Sequence, residues 1–134
     1  MARLYIDTNI IMYALDDTMN LFGKDISASS RVLLFRAAKC EHNVIISDWT
    51  LKELEIKKRL SSARILLKIL EKKTIKVRKT EEDEEMARSQ NPNNVQDELH
   101  CILARRAKAD YIVTRNTNDF KNSKVPTIKP EQLL

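Results

Sequence analysis

At 134 residues, 43% apolar and 32% charged, the chain has the size and composition of one globular domain that needs no disulfides to hold its core. One Gly and three Pro argue against a disordered or loop-rich chain, and no run of 18 apolar residues offers a membrane span. A net charge of +5, from 24 basic and 19 acidic residues, favours polyanionic partners without naming one.

In chain order, Leu4-Tyr5-Ile6 reads as a short apolar strand ending at Asp7. A helix follows, with Ile10, Ile11, Ala14 and Leu15 at helical spacing. Residues 16–26, with the lone Gly23, break the pattern and are expected to be a loop. A second helix is expected over Ser27–Lys39, then a strand at Val44-Ile45-Ile46. Ser47 or Asp48 caps a helix running to about Arg59, on which Trp49, Glu53, Ile56 and Leu60 share a stripe. Ser61 or Ser62 opens another helix, its apolar stripe being Ile65, Leu66, Ile69 and Leu70. Ile75–Arg78 alternates as a third strand. Thr80 and Asp83 have capping-box spacing before an acidic first turn, and Asn91-Pro92-Asn93-Asn94 is a breaker. A helix over Val95–Lys108 leads to strand Tyr111-Ile112-Val113, and Val125–Ile128 reads as a short edge strand.

Strands alternating with helices imply parallel pairing and a three-layer α/β/α sandwich around a mostly parallel sheet. A single domain spanning residues 1–134 is expected. The N-terminus lacks the basic start, apolar stretch and cleavage site of a secretory leader. Cys40 and Cys101 lie far apart and are read as buried small hydrophobes in a reducing, cytoplasmic setting.

Ligands of such sheets bind beyond the carboxyl ends of the strands, where several acids fall. Asp7 directly follows the first strand, and Asp119 lies in the polar segment after the fourth. Asp97 occupies the first turn of the preceding helix; Glu53 lies among apolar neighbours and calls for a partner. Each alone has an ordinary explanation, as a cap, an Asx turn or a stripe-edge acid reaching solvent. Together they form a carboxylate group that repels itself unless cations neutralise it. An oxygen-rich set suits Mg²⁺ or Mn²⁺ and does not resemble a Cys/His zinc site. With these four set aside, 24 basic residues face 15 acidic ones, a surface suited to a phosphate backbone. His100, one turn beyond Asp97, reads as a packing histidine able to orient a neighbour. Lys57, Lys58, Arg59, Arg64, Lys68 and Arg115 are the basic candidates for phosphate contact, and low aromatic content gives no base-stacking platform.

Four segments, Leu4–Ile11, Ile46–Leu54, Asp97–Ala104 and Val113–Phe120, resemble in order and spacing the PIN-domain nucleases, particularly the small single-domain toxins of the VapC type. The resemblance implies a metal-dependent endoribonuclease with Asp7, Glu53, Asp97 and Asp119 as its acidic, catalytic and metal-holding centre. Thr8, Asn9, Thr114 and Asn116 would be supporting polar groups. It also implies Mg²⁺ or Mn²⁺, RNA as substrate, 5′-phosphate and 3′-hydroxyl products, a homodimer, and a small antitoxin that blocks the site. Several relatives have an acid where this chain has Asn116, which bears on a second metal position. The helix pair over about 48–73 resembles a hairpin that relatives use in substrate or partner contacts. Some relatives mature RNA or survey its quality, so an RNA-processing role stays open. A non-catalytic RNA-binding module of the same fold also stays open. An aspartyl-phosphate enzyme is disfavoured, because the first strand carries no Asp-x-Asp.

Overall fold

A computed structural model describes residues 1–16 and 26–134; most of the expected loop over 16–26, Gly23 included, lies outside the described residues. Among the described residues, five parallel strands form one sheet in the order β3-β2-β1-β4-β5. They are β1 (Ala2–Ile6), β2 (His42–Ser47), β3 (Thr74–Val77), β4 (Tyr111–Val113) and β5 (Thr127–Ile128). Register pairs Leu4 with Val44 and Tyr111, and Ile6 with Val113. Side chains alternate between faces along each strand, so the apolar runs feed two cores. Leu4, Ile6, Val44, Ile46 and Val113 enter one, while Tyr5, Ile45 and Ile112 enter the other.

The first core is covered by α1 (Thr8–Leu15), α2 (Ile26–Ala38), α3 (Asp48–Ile56) and α4 (Leu60–Leu70). The second takes Leu103 and Ala104 from α6 (Val95–Arg106), with α5 (Glu81–Gln90) packed on α6. The layering follows from connection handedness. Crossovers between parallel strands are right-handed, so β1→β2→β3 moves one way with its helices on one face. The return to β4, on the other side of β1, puts α5 and α6 on the opposite face. Strand order therefore reverses between β1 and β4, and their carboxyl ends flank the crevice where such sheets bind ligands.

Local signals explain several ends. Thr80 Oγ1 accepts from the Asp83 amide at 3.1 Å, and Asp83 Oδ2 accepts from the Thr80 amide at 2.9 Å, completing the capping box. Ser47 caps α3, its Oγ accepting from the Thr50 amide at 3.0 Å. Cys40, Lys58 and Lys108 have φ of 74°, 59° and 58°. Each follows a helix, and the next amide reaches back to a helical carbonyl: Glu41 to Arg36, Arg59 to Leu54, Ala109 to Ala104. This termination requires a left-handed residue, usually glycine, and the chain has one glycine.

Five expectations need correction. Cys40 is exposed, because it occupies that helix-ending position. Helix α3 stops at Ile56, and Ile56 is 64% exposed. Thr50 and Leu54 face the sheet instead, so the stripe through Trp49, Glu53, Ile56 and Leu60 is not a buried face. In α4, Ile65 and Ile69 are exposed, while Ala63 and Leu70 are buried and Leu66 and Leu67 partly so. The segment is apolar around most of its circumference, and small Ala63 selects the phase by allowing close approach. That helix opens at Leu60, not at a serine, and the residue before it makes no side-chain cap.

Candidate active site at the carboxyl ends of β1 and β4

Asp7 leaves β1 at the strand-order reversal and is 5% exposed. Its amide donates to the Val113 carbonyl at 3.0 Å, continuing the pairing with β4 by one residue. Its Oδ2 accepts from the Thr114 hydroxyl at 2.8 Å. Thr114 Oγ1 in turn accepts from the Asn116 amide at 3.0 Å, so one buried hydroxyl orients the carboxylate and turns the chain beyond β4. Burial raises the Asp7 carboxyl above its ordinary range; charge from His100 and the Thr114 hydrogen bond lower it, and Glu53 and Asp97 raise it further. The net direction is upward.

Glu53 projects from α3, which begins directly after β2. Its Oε1 accepts from the Thr8 hydroxyl and from His100 Nε2, both at 2.6 Å. Burial pushes this carboxyl up, but His100, Thr8 and the Lys57 charge outweigh that and hold it below its ordinary range. Asp97 lies in the first turn of α6, where the helix N-terminus favours an anion. Asn94 occupies the cap position without capping through its side chain. Its Nδ2 donates instead to Asp97 Oδ2 at 2.8 Å.

The structure thus brings Glu53 and Asp97, together with His100, within electrostatic reach of Asp7. Asp119 is exposed on the 3₁₀ turn Thr117–Phe120, which Phe120 anchors by burial. A cavity of about 160 Å³ beside it is lined by Asn94, Glu98, Asn118 and Asp119, placing Asp119 near the residue that holds Asp97. Asn116 is exposed at the start of that turn. Among the described residues, no three His, Cys, Asp or Glu side chains stand together closely enough to hold a metal ion. Each of the three inner carboxylates is turned to a hydrogen-bond donor of its own. The donor set nevertheless fits a hard divalent cation, since it is all oxygen and centred on a buried carboxylate disfavoured by two like charges. A larger cavity, about 550 Å³, lies on the α5–α6 face and includes none of the expected site residues.

The basic residues divide. Arg115 is turned inward: its Nη2 donates to the Ile26 carbonyl, to Ser29 Oγ at 2.6 Å and to the Glu131 carboxylate. Arg59 forms a two-pronged pair with Asp16 at 2.6 and 3.2 Å. Lys57 is exposed and reaches Asn9 Oδ1 at 3.3 Å, and Lys58 is exposed beside it. Arg64 and Lys68 are exposed on α4.

Sequence reasoning overlooked Tyr5 and the second role of Ser47. The Tyr5 hydroxyl is bonded to His100 Nδ1 at 2.7 Å and to Ser47 Oγ at 2.8 Å, beneath the acids. A tyrosine at a strand position flanked by Leu4 and Ile6 was the available signal, since a buried phenol needs a partner.

Comparison with solved structures places this architecture. A chain in the crystal structure of VapBC2 from Rickettsia felis, bound to a DNA fragment from their promoter, superposes with a TM-score of 0.63 at 20% identity. The match covers 95% of this chain and 98% of that one. A chain in the structure of FitAB bound to an IR36 DNA fragment gives 0.61 at 16% identity, covering 95% and 94%. At such identities the likeness is one of fold. No curated protein sequence matches the chain. The family model describing the PIN domain matches residues 3–118. With that match over most of its length, the chain belongs to the PIN-domain family.

Proposed function

We propose that the chain is an endoribonuclease that hydrolyses RNA phosphodiester bonds with Mg²⁺ or Mn²⁺ at the crevice between β1 and β4. The observation that supports this most is the burial of Asp7 at the strand-order reversal, with Glu53 and Asp97 acting on it by charge. Ordinary folding gains nothing from a buried carboxylate opposed by two others, whereas a cation site requires such an arrangement. Asp7, Glu53 and Asp97, joined by Asp119 from its exposed 3₁₀ turn, would hold the ion. A bound divalent ion supplies a water of lowered pKa and offsets negative charge on phosphate.

The chain's own groups do the remaining work. The Thr114 and Thr8 hydroxyls are too weakly basic to take up a proton at neutral pH, and they orient Asp7 and Glu53. Asn9 and Asn116, at the mouth, offer amide groups to water or phosphate. Lys57 and Lys58 are the favoured backbone contacts, because Arg59 and Arg115 are already held by carboxylates. In this reading residues 1–134 act as one nuclease domain in the cytoplasm. The fold shared with chains from VapBC2 and FitAB supports extending it to the toxin of a toxin–antitoxin pair, a homodimer with a small antitoxin partner.

The test is cleavage of total cellular RNA by the purified full chain with either metal, wild type beside Asp7→Asn, followed by mapping of new ends. Wild type is expected to cut and leave 5′-phosphates, and the variant to lose the activity. Equal cutting by Asp7→Asn, or none by wild type with either metal, would overturn the proposal.

A further inference from the structure

We propose that His100 is a positioning residue for the acidic centre, fixing the Glu53 carboxylate so that one chosen oxygen is left for a divalent cation. The inference rests on the nuclease reading and deepens it. A carboxylate only accepts hydrogen bonds, so Thr8 Oγ1–H and His100 Nε2–H both donate to the same atom, Oε1. Among the described residues, Oε2 receives no hydrogen bond. Saturating one oxygen from two elements, α1 and α6, removes the rotation by which a glutamate exchanges its oxygens.

The imidazole is itself held at its other end. Tyr5, fully buried in β1, meets Nδ1 at 2.7 Å, and its hydroxyl is braced by Ser47 at 2.8 Å. Ser47 is the cap of α3, the helix that carries Glu53. The bonds therefore form a closed ring, α3 to β1 to α6 and back to α3, with His100 as its joint. The Tyr5 ring meets His100 edge-on at 5.6 Å between centroids, and Trp49 packs against it at 6.4 Å. A histidine 1% exposed needs both nitrogens satisfied wherever it is buried. Here one bond goes to an acid of the proposed centre, where a core histidine would serve equally well bonded to a backbone carbonyl. Groups that orient a metal-holding side chain commonly matter as much as the ligand geometry they enforce.

The test uses the full-length chain with Mn²⁺ as probe and two readouts. One is the Mn²⁺ concentration giving half of the maximal thermal stabilisation; the other is kcat and KM on an RNA that wild type cuts. His100→Leu is expected to raise the Mn²⁺ requirement roughly 10- to 100-fold. At saturating Mn²⁺ it should lower kcat while KM for RNA stays within roughly two-fold. His100→Gln, whose amide N–H reaches the place of Nε2–H, is expected to recover most of both. Tyr5→Phe, which removes only the anchor on Nδ1, should raise the Mn²⁺ requirement by less than His100→Leu. If His100→Leu fails to fold, His100→Gln and Tyr5→Phe decide. A folded His100→Leu matching wild type, or a folded His100→Gln as impaired as His100→Leu, would overturn the role. Wild type neither stabilised by Mn²⁺ nor active would instead remove the nuclease reading, and this inference with it.

Discussion

Replacing Asp7 by asparagine should make the metal-free protein more stable while destroying its proposed activity. The carboxylate is 5% exposed, and its pKa is raised by burial and by Glu53 and Asp97 against the relief given by His100 and Thr114. A raised native pKa means that the folded state binds this proton more tightly than the unfolded chain. The stability it confers is complete below the ordinary aspartate value of 3.8 and is lost as pH rises through the raised native value. At pH 8 in EDTA, wild type carries that loss. Asparagine does not, and its amide oxygen can still accept from Thr114. The cost of one buried polar group incompletely compensated is about 1–3 kcal/mol. For 134 residues, each kcal/mol corresponds to about 3–4 °C in Tm. Thermal unfolding followed by circular dichroism should therefore place Asp7→Asn about 3–12 °C above wild type at pH 8. The gap should shrink towards pH 4, and saturating Mn²⁺ should reverse the order, because only wild type gains binding energy. A variant less stable than wild type at pH 8 in EDTA, or a gap unchanged across that range, would refute the reasoning.

Other outcomes follow from particular residues. Cys40→Gly, Lys58→Gly and Lys108→Gly each relieve a left-handed non-glycine residue and should stabilise by about 0.5–1 kcal/mol, the steric relief less the added unfolded-state entropy; urea midpoints would check this. Thr80→Ala breaks the capping box of α5 and should cost about 1 kcal/mol in the same assay. If Lys57 and Lys58 touch the RNA backbone, removing each should weaken binding alike across RNA sequences and reduce the salt slope by about 0.7. Fluorescence anisotropy over a salt series would show it, and an unchanged slope would exclude the contact.

Much of the fold was legible because its strands are short apolar runs bounded by polar residues. The acids at the ends of β1 and β4 point to the crevice from sequence, since the alternation of elements dictates where parallel strands finish. The phase of α4 was not legible: Ile65-Leu66-Leu67 and Ile69-Leu70 offer two apolar faces, and only packing around Ala63 chooses between them. Arg59 and Arg115 looked available because their acidic partners, Asp16 and Glu131, are 43 and 16 residues away. The tie from His100 to Tyr5 spans 95 positions and that to Glu53 spans 47. No local pattern encodes such bonds, and a lone histidine one turn after an acid reads first as a packing residue.

The central claim, that Asp7, Glu53 and Asp97 act together on a divalent cation, is tested most directly by titrating Mn²⁺ calorimetrically into the metal-free chain and its Asp7→Asn, Glu53→Gln and Asp97→Asn variants. Saturable binding by wild type, weakened by each single change in a protein that keeps its native circular dichroism, is the predicted result. Binding that all three folded variants retain at wild-type strength would contradict it.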